Sequence, residues 1–232
     1  MPTDPTKLPK IAIFEGLTSA QLALIAERAR ERLYRVGSAI LHEGDPGETF
    51  YVILRGTVKI STTLPDGSEV FLALLATGDT VGEMSLIDSA GRSADVITQE
   101  DTSLLSIDRS VFDELASSGA TFTRNIMRML ARRLRLANVR IQAHCTLDVY
   151  GMVAFQILEF ADLYGETQAD GSRLIPIRLT QGDIAQLVGA SRERVNQVMV
   201  SYRRKGLISV DPRYHITVHK LLELQKRVQQ GS

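Results

Sequence analysis

Two short stretches of the sequence carry side chains that could bind a charged molecule. A glycine lets the backbone approach a ligand closely, and a carboxylate accepts two hydrogen bonds from a diol. An arginine beside a serine supplies a planar charged fork and a hydroxyl for a phosphate. The same residue types also form a turn with a surface ion pair, which leaves both interpretations open. The positions in this first stretch are Gly82, Glu83, Met84, Ser85, Arg92 and Ser93.

The second stretch, Thr180–Tyr202, has the pattern of two short helices joined by a tight turn at Gly189. The exposed start of its second helix carries groups that suit base edges in the major groove. Arginine reads guanine, glutamate accepts from cytosine, and asparagine or glutamine suits adenine. The alternative is the solvated face of an ordinary helical hairpin. The candidate DNA contacts are Thr180, Ser191, Arg192, Glu193, Arg194, Asn196 and Gln197, with Arg213 in a following hairpin as a phosphate contact.

The charge distribution favours double-stranded DNA as a partner. The formal net charge is zero, but residues 1–120 hold 10 Lys and Arg against 18 Asp and Glu, whereas residues 121–232 hold 17 against 9. The basic half begins with Thr121–Ile141, which contains six arginines and no acidic residue. Such asymmetry between halves is typical of chains whose basic part meets nucleic acid.

Thr121–Ile141 is also a strong helical segment with one narrow apolar stripe. Spacings of three and four residues place the stripe on one helix face, which predicts a seam between two copies of the chain. The alternative is an amphipathic helix that packs only on its own domain. The predicted seam residues are Met127, Leu130, Leu134, Ala137 and Ile141.

The elements that must position these residues indicate an α+β protein. A helix over Ala20–Arg32, capped by Thr18, is followed by short β-rich runs broken by turn residues, including the hairpin signal Asp66-Gly67. This texture predicts a β jelly roll. We expect three parts: residues 1–120 as the jelly roll, 121–147 as a dimerisation and linker helix, and 148–232 as a helix-turn-helix followed by a hairpin wing.

Composition excludes several classes of protein. The single cysteine, Cys145, allows no internal disulfide or cysteine-rich metal site and is expected to be half-buried, and the four histidines have no metal-ligand spacing. No run reaches the roughly 18 apolar residues of a membrane span, and the N-terminus lacks a signal peptide's apolar core. A soluble, cytoplasmic protein without a membrane partner is expected. No nucleophile or acid–base constellation indicates an enzyme.

The order of these motifs resembles the CRP/FNR family of bacterial regulators, and most closely its cyclic AMP receptor type. GEMSL and RSA lie in the barrel, ARRLR in the long helix, and LTQGDIAQLVGASRERVNQVM after it. The resemblance implies that Gly82 and Glu83 contact the ribose of cyclic AMP and that Arg92 and Ser93 hold its phosphate. It also implies a homodimer that binds a palindromic, TGTGA-like DNA site and meets RNA polymerase through the Gly165–Ser172 loop.

The sequence departs from the family pattern both at the predicted nucleotide site and at the predicted DNA-reading surface. Ala137 and Asn138 occupy positions where members carry a Thr-Ser or Thr-Asn pair at the adenine, so one hydroxyl is missing. Gln197 replaces a third DNA-reading arginine, and Gly182 replaces a polar residue beside Thr180. The nearest alternative is therefore the same DNA-binding regulator acting without a nucleotide effector. A haem or redox sensor, and a cyclic-nucleotide module that controls an enzyme, are further alternatives.

Overall fold

The computed structural model describes residues 8–229, which form two compact units, one ending at Arg135 and the other beginning at Leu136. The first residues of the chain, on which the signal-peptide argument partly rests, lie outside the described residues. Within residues 8–229, none of the helices combines the length and apolarity needed to span a membrane.

The first unit opens with helix α1 (Ser19–Arg28), which is shorter than the sequence predicts. The Thr18 side chain accepts from the Gln21 backbone and Gln21 returns the bond, as in a capping box. The predicted continuation to Arg32 is wrong, because Arg30–Tyr34 is a strand. This strand pairs with Thr102–Asp108 through five residue pairs. The pairing favours the strand more than the weak helical pattern of the local sequence favours a helix.

Eight strands form two antiparallel four-stranded sheets, which confirms the predicted jelly roll. One sheet has the order β1-β8-β3-β6 and the other the order β2-β7-β4-β5. Asp66-Gly67 turns between β4 and β5 as expected, with Gly67 at φ 82°. The strands are β1 (Arg30–Tyr34), β2 (Ala39–Leu41), β3 (Thr49–Arg55), β4 (Thr57–Thr63), β5 (Glu69–Ala76), β6 (Thr80–Val81), β7 (Asp95–Thr98) and β8 (Thr102–Asp108).

Three further helices complete this part of the chain, α2 (Met84–Asp88), α3 (Arg109–Ser117) and α4 (Ala120–Thr146). The sequence patterns predict α4 but neither α2 nor α3. Phe50 of β3, Phe112 of α3 and Phe122 of α4 pack edge to face, with centroid separations of 5.7 and 5.4 Å. This aromatic cluster fixes the start of α4 on the barrel. Cys145, near the end of α4, is exposed rather than half-buried.

The second unit confirms the helix-turn-helix and its hairpin wing. Thr180 and Asp183 form the predicted capping box, Gly189 ends the first helix at φ 66°, and Ser191 caps the second. The two helices pack against each other, and Ile184 and Val195 on their apolar faces are both buried. The elements are α5 (Val149–Tyr164), β9 (Glu166–Thr167), β10 (Arg173–Ile175), α6 (Gln181–Val188), α7 (Arg192–Arg204), β11 (Ile208–Val210), β12 (Ile216–Val218) and α8 (Leu221–Gln229).

Candidate functional site

Arg92 is the central cation of the candidate ligand site and is buried, with 7% of its surface exposed. Its Nη1 donates to the Gly82 carbonyl at 2.8 Å and its Nη2 to the Thr49 carbonyl at 2.7 Å. Among the described residues no carboxylate forms an ion pair with it, and burial lowers the pKa of the guanidinium below its ordinary value. Its hydrogen bonds go to carbonyls, and Glu83, Asp45 and Glu48 act on it only through longer-range electrostatics, so a directly bound anion would stabilise the cation further.

The Glu83 carboxylate is buried and held by a second arginine. Arg133 of α4 donates from Nη1 to Glu83 Oε1 at 2.6 Å and from Nη2 to the Thr80 carbonyl at 2.6 Å. The Thr80 hydroxyl donates to the other oxygen, Glu83 Oε2, at 3.2 Å. A carboxylate oxygen accepts more than one hydrogen bond, so Glu83 retains acceptor capacity for a diol. The sequence patterns do not single out Arg133 or Thr80 as site residues.

The other candidate ligand contacts, Ser93, Ser85 and Gly82, differ in their exposure and in their neighbours. Ser93 is exposed, with its Oγ 3.7 Å from the sulfur of the exposed Met84. Ser85 is buried, and its hydroxyl donates to the Gly91 carbonyl at 3.4 Å, just before Arg92. Gly82 has φ 83°, and a Cβ there would lie 2.7 Å from Arg92 Nη1. Gly82 is therefore required both by the backbone conformation and by the position of Arg92.

These residues surround a cavity of about 100 Å³ in the barrel. Its polar end contains Glu83, Arg92, Ser93 and Arg133, and aliphatic side chains of the barrel line the remainder. A cavity lined by charged and aliphatic side chains suits a ligand that carries an anionic group and an apolar part. The aliphatic side chains are Leu41, Ile60, Leu75, Val81 and Val96.

The helix-turn-helix presents a polar surface at the start of α7. Ser191 Oγ accepts from the Arg194 backbone at 3.2 Å, which fixes the first turn of the helix. Asn196 is not free, since its Oδ1 accepts from Gln181 Nε2 at 2.9 Å. Gln181 is not among the residues that the sequence patterns single out. The exposed candidate DNA contacts on α7 are Arg192, Glu193, Arg194, Asn196 and Gln197.

The remaining candidate DNA contacts, Thr180 and Arg213, lie before and after α7 in the sequence. The Thr180 side chain is half-buried and donates to Asp183 Oδ2 at 2.6 Å, so its hydroxyl is engaged in capping α6. Arg213 is exposed in the turn between β11 and β12, where its backbone N–H donates to Asp211 Oδ1 at 2.9 Å. Tyr214 follows at φ 67°, with the Arg178 guanidinium 5.2 Å from its ring centroid. Arg178 is a further exposed cation near the wing.

Comparison with known proteins identifies both units. Residues 31–118 match the cyclic nucleotide-binding domain family, and residues 153–227 match the Crp-like helix-turn-helix domain family. The chain belongs to the CRP/FNR family. A CRP-like cAMP-activated global transcriptional regulator of Mycobacterium tuberculosis is 33% identical over 88% of this chain and 91% of its own. A cyclic AMP receptor protein of Thermus thermophilus is 32% identical over 86% of this chain and 89% of its own.

The fold is also that of solved CRP/FNR proteins. The structure of FixK2 from Bradyrhizobium japonicum superposes with a TM-score of 0.74 over 85% of this chain and 96% of its own, at 23% identity. The protein is therefore a DNA-binding transcription regulator with a cyclic nucleotide-binding domain, and not an enzyme.

The two positions that the family resemblance assigns to the adenine lie on α4. Ala137 and Asn138 follow Arg135 in the second unit, and both side chains are exposed. The predicted seam is exposed as well, with Met127, Leu134 and Ile141 each 61–64% exposed. Leu130 differs because it is partly buried against the core of the first unit. The large exposed members, Met127, Leu134 and Ile141, recur every seven residues and form one line of apolar side chains along the helix.

Proposed function

We propose that this CRP/FNR protein is a homodimer whose jelly roll binds cyclic AMP and whose α7 helices read a palindromic site. The observation that carries the effector assignment is Arg92, a buried guanidinium at the polar end of the cavity with carbonyl partners only. A cyclic phosphate would supply an anion that hydrogen-bonds directly to Arg92, and Glu83 would accept from the ribose. Two cAMP-responsive relatives with about one-third identity support this ligand.

The proposed mechanism is a shift between two packings of the α4 pair. Cyclic AMP that contacts Arg92, Ser93 and Asn138 would favour one packing, which places the two α7 helices about one DNA turn apart. The ligand can shift this equilibrium only by its difference in affinity for the two states. The half-site is proposed to be TGTGA-like, with relaxed selection where Gln197 replaces arginine. RNA polymerase is the proposed protein partner, through the segment 165–172.

The second candidate is the same DNA-binding regulator acting without a nucleotide. Ala137 favours it, because the position has no hydroxyl for an adenine edge. The two candidates differ in one measurable quantity, the binding of cyclic AMP. Heat of binding in calorimetry with cyclic AMP, and less with cyclic GMP, supports the effector assignment, whereas no heat with either supports the second candidate.

The decisive variant is Arg92→Ala, with Arg55→Ala, another arginine of the same unit that is exposed, as the matched control. Loss of a charged hydrogen bond of about 1.5–3 kcal/mol predicts cyclic AMP binding weakened by roughly 10- to 100-fold in Arg92→Ala alone. Thermal unfolding of the unliganded variant checks that it folds. Unchanged affinity in the folded variant would refute the pocket assignment.

A further inference from the structure

A cluster of four side chains joins three helices of the second unit, α5, α7 and α8. Arg227 of α8 is its cation, and its Nη2 donates to Asp148 Oδ2 at 2.5 Å. The same guanidinium lies over the Tyr150 ring, 5.6 Å from the ring centroid. Tyr150 meets Tyr202 of α7 edge to face at 6.1 Å, and the Tyr150 carbonyl accepts from the Tyr202 hydroxyl at 2.7 Å. One arginine of α8 therefore contacts the start of α5 at the point where α7 is bound to it.

Asp148 places this cluster at the junction between α4 and α5. Helix α4 ends at Thr146, and Asp148 is the N-cap of α5, with its Oδ1 accepting from the Gly151 backbone at 2.7 Å. The two carboxylate oxygens have separate partners, because Oδ1 caps α5 and Oδ2 binds Arg227. The cluster thus lies between the end of α4, which the proposed mechanism moves, and the helix that reads the bases.

The cluster has a buried side and a side open to solvent. Tyr202 is 2% exposed, whereas the Arg227 and Asp148 side chains are 31% and 56% exposed. Burial raises the pKa of Tyr202 to about 12, and the positive charge of Arg227 is the largest influence in the opposite direction. Leu224, one turn before Arg227, is fully buried and holds α8 in place. Arg227 can therefore be replaced without opening the core.

The length of α7 makes its recognition end sensitive to how Tyr202 is held. Arg192 begins α7 and Tyr202 lies ten residues later, a distance of about 15 Å along the helix axis. A tilt of roughly 5° about Tyr202 would move the Arg192 backbone by about 1 Å. Hydrogen bonds form only over donor–acceptor distances of about 2.7–3.2 Å, so a shift of this size breaks contacts with base edges. Long side chains that bind phosphates can adapt to it.

We propose that Arg227 is a positioning residue for DNA recognition, which holds α7 on the start of α5 in the orientation that the base contacts require. This inference rests on the proposed function, since it requires α7 to enter the major groove. Arg227 acts on the DNA through Asp148, Tyr150 and Tyr202. Its loss should therefore lower the preference for the specific site, and not simply the stability of the protein.

The experiment compares Arg227→Ala with Lys226→Ala. Lys226 is the neighbouring exposed cation of α8, so both variants remove one positive charge from the same helix. The wild type first selects a site from a random duplex library with cyclic AMP present. Each protein is then bound to that duplex and to an unrelated duplex of the same length, at one salt concentration. Thermal unfolding defines a temperature at which all of the variants are folded.

Arg227→Ala should lower the ratio of the two DNA affinities by roughly 3- to 10-fold per subunit. This is the factor that a partly exposed ion pair and a cation–π contact support. Its affinity for the unrelated duplex should equal that of Lys226→Ala, because non-specific binding depends on charge. Lys226→Ala should keep the wild-type ratio. Arg227→Lys retains a charge for Asp148 and should recover part of the ratio.

Asp148→Asn tests whether Arg227 acts through its carboxylate partner. Asparagine keeps an oxygen that can cap α5 but removes the charge that Arg227 binds. This variant should show part of the loss seen in Arg227→Ala. The double variant should lose no more than Arg227→Ala alone, since both substitutions remove the same contact.

Three results would overturn the inference. One is an unchanged affinity ratio in folded Arg227→Ala, and a lower unfolding temperature with that ratio would leave the cluster a structural role only. Another is an equal fall of the ratio in Lys226→Ala, which would assign the effect to the overall charge of α8. The third is strict additivity of Asp148→Asn and Arg227→Ala. A wild-type protein that binds selected and unrelated duplexes equally would instead overturn the proposed function, and the inference with it.

Discussion

At the scale of single residues, the proposed effector site leads to a prediction at Ala137. The family resemblance places the residue at the adenine, where a hydroxyl is missing. Ala137→Thr restores that hydroxyl and should tighten cyclic AMP binding by roughly 2- to 10-fold, since a net hydrogen bond contributes about 0.5–1.5 kcal/mol. Calorimetry measures the change. Ala137→Val is the matched control, because valine has the same branching and helix cost but no hydroxyl. Equal affinities of the Thr and Val variants would contradict the prediction.

A second residue-scale prediction concerns Tyr202 in α7. Its hydroxyl donates to the Tyr150 carbonyl at 2.7 Å, and burial raises its pKa from 10.0 to about 12. Because the folded pKa is the higher one, the stabilisation is complete below pH 10 and is lost as the pH rises towards about 12. Tyr202→Phe should cost about 0.5–1.5 kcal/mol at neutral pH and reduce the alkaline loss of stability. Urea denaturation across this pH range tests both effects, and the exposed Tyr214→Phe should change neither.

At the scale of elements, α2 is held at its C-terminal end by one side chain from α3. Arg109 donates to the carbonyls of Gly47, Ser85 and Leu86 at 2.9–3.3 Å and to Glu48 at 3.0 Å. A helix end has carbonyls without intrahelical partners, and Arg109 satisfies two of them. Arg109→Ala should therefore destabilise the first unit by about 1–3 kcal/mol and weaken cyclic AMP binding.

For Arg109→Ala, thermal unfolding measures the stability and calorimetry measures cyclic AMP binding. Glu48→Gln is the control variant. The glutamine variant removes only the ion pair, in which the Glu48 side chain is 72% exposed. Exposed pairs contribute about 0–1 kcal/mol, so this control should stay close to wild type. A loss in Glu48→Gln as large as in Arg109→Ala would show that the carbonyl contacts do not matter.

The helices also show which features of the structure could be predicted from the sequence. Thr180, Asp183, Gly189 and Ser191 are local capping and turn signals, which is why the starts of α6 and α7 and the turn between them could be predicted. Helix α2 has only five residues and its N-cap residue makes no side-chain hydrogen bond, so it has no such signal. The contact of Arg133 with Glu83 spans 50 residues and arises only when α4 packs on the barrel. Local patterns therefore predict the candidate ligand segment but not the long-range contact of Arg133 with Glu83.

At the scale of the whole molecule, the exposed stripe of α4 supports the proposed pairing with a second copy of the chain. Three large apolar side chains at seven-residue spacing, each more than 60% exposed, form a seam without a partner in the single chain. Burying each such side chain is favourable by about 1.5–3 kcal/mol, and a symmetric pair buries both copies. In the proposed dimer, the seam would give two α7 helices related by twofold symmetry, which a palindromic DNA site requires.

Leu134→Glu should therefore separate the proposed dimer. Two carboxylates would face each other across the seam in place of two leucines, and the dissociation constant should rise by roughly 100-fold or more, given the lost burial of about 1.5–3 kcal/mol per side chain. Sedimentation velocity over a concentration series measures the change. Arg132→Glu places the same side chain on the opposite face of α4, where it is exposed, and should remain dimeric. In DNA binding, Leu134→Glu should bind a palindrome no more tightly than a single half-site, whereas Arg132→Glu should keep the advantage of the palindrome. A dimeric Leu134→Glu protein would place the subunit contact elsewhere on the molecule.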